Sequence, residues 1–137
     1  MPRVLITGSA DGLGLATAQT LLTEGHQVVV HARSPQRLAP IRHLLDRGAL
    51  AVVGDLGYLE QTRNVAEQAN RIGCFDAIIH NAGVYSGHAL LPVNVVAPYV
   101  LTALVTKPRR LIYLSSSMHL GGHPNVQGLE WTGQRVS

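Results

Sequence analysis

The chain has 137 residues, of which 46% are hydrophobic, 14% charged and 4% aromatic. That length suits one domain with a single core, and the composition is too apolar and too weakly charged for a disordered chain. The net charge of +3 rests largely on arginines scattered from Arg3 to Arg135, not on the basic stripe with stacking aromatics that marks a nucleic-acid surface.

No apolar run reaches the roughly eighteen residues of a spanning helix, so neither nucleic acid nor a membrane is an expected partner. At the N-terminus, Val4-Leu5-Ile6 runs straight into Thr7-Gly8, which reads as the start of a fold and not as a secretory signal. The one cysteine, Cys74, has no partner for an internal disulfide, which points to a reducing cytoplasm. Its place after Gly73 suggests a small buried hydrophobe.

Short apolar runs then alternate with helix-period segments. Val4–Thr7 predicts the first strand. After a glycine-rich turn comes a helix over Leu13–Glu24, with Leu15, Ala18 and Leu22 on one face, Asp11 as a cap and Gly25 as its stop. Val28–His31 is the second strand. Pro35–Arg47 predicts the next helix, with Ser34 as N-cap and Gly48 beyond its end. A third strand spans Leu50–Val53, and Tyr58–Ile72 carries a helical pattern through Val65, Ala69 and Ile72. Phe75–His80 is the fourth strand, with His80 a hydrogen-bonded core or pocket residue. Pro92–Thr106 is a helix that Pro98 should kink, and Leu111–Leu114 is the fifth strand.

Strands alternating with helices of this length imply right-handed crossovers and a parallel sheet covered on both faces. The expected fold is a Rossmann-type doubly wound α/β sheet of about five strands. Beyond Ser117 the chain is glycine- and histidine-rich without periodicity. Residues 1–117 therefore read as the domain, and 118–137 as a loop tail leading to an absent C-terminal half. His119 and His123 share a ligand-like spacing, but Gly121, Gly122 and Pro124 oppose a helix there, and no metal is expected. Trp131 would anchor that loop or belong to a substrate wall.

The strongest local signal is Thr7-Gly8-Ser9-Ala10-Asp11-Gly12-Leu13-Gly14, between a strand and a helix. A helix N-terminus offers free N–H groups and a positive dipole end to a pyrophosphate, and glycines let the phosphates and the neighbouring strand come close. The second strand runs out into Ala32-Arg33-Ser34, with no acidic residue between Glu24 and Asp46. An arginine there suits a 2′-phosphate, where an acidic residue would suit the bare ribose. NADP(H) is accordingly expected in preference to NAD(H).

These residues resemble the short-chain dehydrogenase/reductase family, in order, across 1–117. The glycine turn matches the family's Thr-Gly-x3-Gly-x-Gly, so Gly8, Ser9, Gly12, Leu13 and Gly14 would hold the pyrophosphate. Asp55-Leu56 matches the pair that contacts adenine, and Asn81-Ala82-Gly83 the motif bracing the sheet beside the nicotinamide. Asn94 matches the helix asparagine of the family's proton relay. Ser115-Ser116-Ser117 matches its serine station, with Ser116 in catalytic register. The resemblance implies interconversion of a small-molecule carbonyl and alcohol, in which the developing alkoxide needs a positioned acid and a hydrogen-bond donor.

The family's acid is a tyrosine followed four residues on by a lysine. Here Tyr58, Tyr85, Tyr99 and Tyr113 are followed at that spacing by Thr62, Ala89, Ala103 and Ser117, and the only lysine, Lys107, precedes the serine station. The sequence thus reads as cut before its tyrosine. A non-catalytic dinucleotide-binding protein, or the cofactor half of a two-chain assembly, is the alternative reading. A sugar-nucleotide epimerase or reductase ranks last, since its glycine spacing usually differs. The apolar fifth strand, as a sheet edge, leads us to expect a homo-oligomer or a complementing C-terminal chain.

Overall fold

The computed structural model describes residues 1–122, together with Gln127 and Trp131. Strands β1 (Arg3–Ile6), β2 (Gln27–Ala32), β3 (Leu50–Val53), β4 (Ala77–His80) and β5 (Arg110–Tyr113) form one sheet in the order β3-β2-β1-β4-β5. Every pairing is parallel, with Val4 opposite Val28 on one side and Ala77 on the other. This is the doubly wound α/β arrangement expected from the alternation.

Side chains of successive strand residues point to opposite faces, so each strand feeds two cores. On one face Leu5, Val29, Val52 and Ile78 pack against Val65 and Ala69 of α3 (Leu59–Ile72) and Leu101 of α4 (Ala97–Leu104). On the other, Val4, Ile6, Val28 and Val30 pack against Ala18 of α1 (Gly12–Thr23) and Leu44 of α2 (Arg42–Asp46). Burial of each such aliphatic side chain contributes about 1.5–3 kcal/mol. It also explains why β2 reads as one continuous apolar run.

Three elements depart from expectation. The helix expected over Pro35–Arg47 is a 3₁₀ segment, Pro35–Ile41, followed by the short α2. Pro40 sits inside it, and a proline there has no N–H to give and crowds the preceding turn, so the α-helix starts only afterwards.

The fourth strand begins at Ala77, not Phe75. Asp76 is drawn aside: its carboxylate accepts from Arg3 N at 2.8 Å, and its own N–H donates to the Arg3 carbonyl at 2.9 Å. The fourth helix opens with a π turn, Pro92–Val96, in which the Ala97 N–H reaches the Pro92 carbonyl. That wide turn carries the chain into Pro98, which has no N–H to donate. The helix also stops at Leu104, short of Thr106, because the Asn70 amide caps it. Asn70 Nδ2 donates to the Leu104 carbonyl at 2.9 Å, and Asn70 Oδ1 accepts from Thr106 N at 2.8 Å.

Cys74 is exposed on the connection between α3 and β4, contrary to the buried position expected. A glycine at residue 73 with φ +132 turns the chain outward just before it. Residues Ser117–Gly121 form a single 3₁₀ turn; most of the expected loop tail, including His123, lies outside the described residues. Trp131 is partly exposed. Along β5 and just beyond it, Leu111, Ile112 and Leu114 are 37%, 41% and 54% exposed, so the apolar edge expected from sequence is open among the described residues. No helix among them is long and apolar enough to cross a membrane.

Candidate functional site

Strands β2 and β4 flank β1 and lead away from it in opposite directions along the sheet. At their C-terminal ends this leaves a crevice, the place where open α/β sheets hold ligands. Here it is a cleft of about 500 Å³, floored by the glycine turn.

The turn is fastened from beneath. Ser9 is fully buried; its hydroxyl donates to the Ile6 carbonyl at 2.8 Å and accepts from His31 N at 2.8 Å. Gly8 has φ +64, and a Cβ there would stand 2.8 Å from the Cα of Ala82. Neither the conformation nor the space admits a side chain. A Cβ on Gly14 would run into the Asn81 amide and the Gly8 carbonyl.

Asn81 joins the end of β4 to the turn. Its Nδ2 donates to the carbonyls of Thr7 and Gly8, both at 3.1 Å. In return the Thr7 hydroxyl accepts from the N–H groups of Asn81 and Ala82, both at 3.0 Å. Four hydrogen bonds thus lock two loops that are 74 residues apart in the chain, and they leave the helix N–H groups beyond Asp11 facing the cleft.

Gly8, Gly12 and Leu13 line the cleft from the turn, and Ala32 and Arg33 from the end of β2. Asp55 and Leu56 line it from beyond β3, and Asn81, Ala82 and Gly83 from beyond β4. Asp55 Oδ1 accepts from Gly57 N at 2.9 Å, while Asp55 N donates to Gln61 Oε1 at 2.7 Å, so this loop is held by its own aspartate and by Gln61 of α3. Ser9 and Gly14 lie beneath the turn as supports. Ser34 does not line the cleft, and at the start of the 3₁₀ segment its side chain makes no capping hydrogen bond.

Asn94 lies on the π turn, outside the cleft lining. Its Oδ1 accepts from Val84 N and its Nδ2 donates to the Val84 carbonyl, each at 2.8 Å. It therefore holds the loop that follows Asn81-Ala82-Gly83. Ser116 is exposed beyond β5 and is likewise not part of the lining.

Charge gathers at the β2 side. Arg33 is exposed and makes no ion pair among the described residues, whereas Arg37 Nη2 lies 3.0 Å from Asp11 Oδ2. Asp11 occupies the N-cap position of α1, yet its carboxylate goes to Arg37 and not to the helix N–H groups. Sequence reasoning passed over Arg37, although its spacing four residues after Arg33 was a usable signal. It also passed over His31, whose polar ring in an apolar strand was another.

His80 is 5% exposed and its ring stacks on Tyr113, with centroids 4.7 Å apart. The Tyr113 hydroxyl pairs with Thr102 Oγ1 at 2.6 Å. His80 Nδ1 finds no hydrogen-bond partner among the described residues, and burial pushes the imidazole down to about 4. It belongs to the core beside the site and not to the cleft lining.

Residues 2–107 match the family model described as short chain dehydrogenase. An uncharacterized oxidoreductase from Emericella nidulans is 40% identical over 142 residues, covering 94% of this chain and 56% of its own. Short-chain dehydrogenase chyC from Penicillium rubens is 41% identical over 140 residues, covering 96% and 54%. The chain thus spans about half the length of these curated relatives. Among solved structures, a gluconate 5-dehydrogenase from Burkholderia cenocepacia in complex with NADP and tartrate superposes with a TM-score of 0.64 at 29% identity. That match covers 76% of this chain and 47% of the other.

Proposed function

The chain belongs to the short-chain dehydrogenase family, and from that premise we propose that residues 1–117 bind NADP(H) and serve an oxidoreductase that interconverts a carbonyl and an alcohol. The observation that carries the cofactor reading is the unpaired Arg33 at the rim of a cleft floored by a glycine turn and a helix N-terminus. The turn fits a dinucleotide because its crowded glycines bring backbone N–H groups to the surface where a pyrophosphate would lie. Gly12 and Leu13 would meet the pyrophosphate, with Gly8, Ser9 and Gly14 shaping the turn. Ala32, Arg33 and Ser34 would lie by the 2′-phosphate. Asp55 and Leu56 would meet the adenine, and Asn81, Ala82 and Gly83 the nicotinamide side. The structure of a relative with NADP bound supports the preference over NAD(H).

When bound, the nicotinamide would exchange hydride with the substrate carbon. The Ser116 hydroxyl would steady the oxygen on which charge develops, and Asn94 would fix the loop beside it. Residues 118–137 would lead toward the remainder of the substrate site. The unpartnered Cys74 supports a cytoplasmic setting.

Calorimetric titration of the mass-verified chain with NADPH and then NADH tests this reading. We expect NADPH to bind at least about tenfold more tightly, the difference that one charge-assisted phosphate contact makes. A folded sample that binds neither would overturn it. The open apolar edge of β5 further supports self-association or pairing with a complementing chain. A monodisperse monomer in light scattering at high concentration would sink that idea.

A further inference from the structure

His31, the penultimate residue of β2, lies against the glycine turn, 3% exposed, and both of its ring nitrogens are engaged. Gly8 N donates to His31 Nδ1 at 2.9 Å, and His31 Nε2 lies 2.8 Å from the Gly54 carbonyl. A backbone N–H can only donate and a carbonyl can only accept. These two contacts therefore fix one protonation state: Nδ1 bare, Nε2 carrying the hydrogen, the ring neutral. An imidazolium would set its Nδ1–H against the Gly8 N–H and break the contact.

The two groups that His31 joins belong to different loops of the cleft. Gly8 opens the pyrophosphate turn, while Gly54 precedes the Asp55-Leu56 pair beyond β3. Strand β2 lies between β1 and β3 in the sheet, so the ring spans from one neighbour's loop to the other's. Across the outer end of the cleft, no other side-chain hydrogen bond among the described residues links these two loops.

We propose that His31 is a positioning residue for the cofactor: as the neutral Nε2–H tautomer it fastens the pyrophosphate turn to the adenine-side loop. The inference rests on the cofactor reading above and names a residue of this chain that sets the geometry of the cleft without donating to the ligand. It also gives the Gly8 N–H a partner within the protein, so the turn is oriented before any anion arrives. Preorganisation of this kind lowers the ordering cost of binding. Burial lowers the His31 pKa, opposed by the Gly54 contact and by Asp55, the acidic group facing it from the β3 side. Arg33 and Arg37 share the cleft and add no pull toward the charged form.

Two near-isosteric variants separate the two arms of the ring. His31→Asn keeps an acceptor where Nδ1 stood and gives up Gly54; His31→Gln reaches Gly54 as a donor and leaves Gly8 N–H without an acceptor. With both variants shown to be folded by circular dichroism, we expect each to bind NADPH at least about tenfold more weakly than the parent, since each cuts one end of the tie. His31→Gln should lose at least as much as His31→Asn, because it also leaves the Gly8 N–H without an acceptor. Parent-like affinity in either variant would overturn the proposal.

Nitrogen-15 spectra of the His31 ring in the cofactor-free chain supply a second reading. They should show the Nε2–H tautomer, unchanged from pH 7.5 down to pH 5.5, whereas an ordinary histidine would titrate near 6.5 in that range. A ring that charges there, or that carries its hydrogen on Nδ1, would refute the assignment. Failure of the parent chain to bind NADPH would strike the cofactor reading alone, and the spectra would still decide the tautomer.

Discussion

Gly8→Ala is expected to weaken NADPH binding by about two orders of magnitude and to destabilise the chain by about 2–5 kcal/mol. Two separate penalties add there. At φ +64 an alanine sits in the left-handed region, and its Cβ would come within 2.8 Å of the Ala82 Cα, a backbone atom that cannot swing away. The collision must therefore move either the turn or the end of β4, and the Thr7–Asn81 hydrogen bonds resist both. For the loss of stability, Gly12→Ala is the control. Its φ is +56 but no protein atom lies within 4 Å of the added carbon, so its stability should fall by the conformational penalty of about 1–2 kcal/mol and no more. Denaturant melts of both variants, with an NADPH titration of Gly8→Ala, check the pair. Equal losses at the two sites would remove the close approach to Ala82 from the argument.

Arg33→Ala should divide the two cofactors. Loss of a charge-assisted contact to a 2′-phosphate removes about 1.5–3 kcal/mol, or roughly ten- to a hundredfold in affinity. NADH has no such phosphate, and its binding should change by less than about threefold. Arg37→Ala should do less, because Arg37 is already paired with Asp11 at 3.0 Å and would have to leave that carboxylate to serve a ligand. Titration of each variant with both cofactors makes the test. If Arg33→Ala weakened NADPH and NADH alike, Arg33 would be a support for the loop and not a reader of the phosphate.

The fold was legible because its signals are short-range and repeated. Five short apolar strands alternate with helical segments, and a parallel sheet follows from their order. The glycine turn was legible for the same reason, since strand, turn and helix are neighbours in the chain. What stayed hidden depends on partners distant in sequence. The end of α4 is set by Asn70 from another helix, and the start of β4 by Asp76 meeting Arg3. Pro40 lies within the helical period of Pro35–Arg47, and its missing N–H makes the first part of that segment 3₁₀. Cys74 is expected buried from its place after Gly73 at a strand start, but the strand begins only at Ala77 and the thiol is exposed. Within the site, the lining residues from the turn, β2, β3 and β4 were found from motifs. His31 and Arg37 were not, because their work is to hold a neighbour in place, and that needs distances.

The place of β1 at the centre of the sheet has a consequence for the order of events during synthesis. Its partner on one side, β2, follows within 24 residues, as the Val4–Val28 pairing shows. Its partner on the other side is β4, with Val4 opposite Ala77. At ordinary translation speeds of about 5–20 residues per second, the second edge of β1 stays bare for roughly 4–15 seconds. An unpaired apolar strand edge is an invitation to foreign pairing. The strand that carries the glycine turn is thus the one whose hydrogen bonds wait longest for completion. Only the arrival of Ile79 and Asn81 covers the second edge of β1 and completes the floor of the cleft, so a ribosome-bound fragment ending before β4 would present half of each.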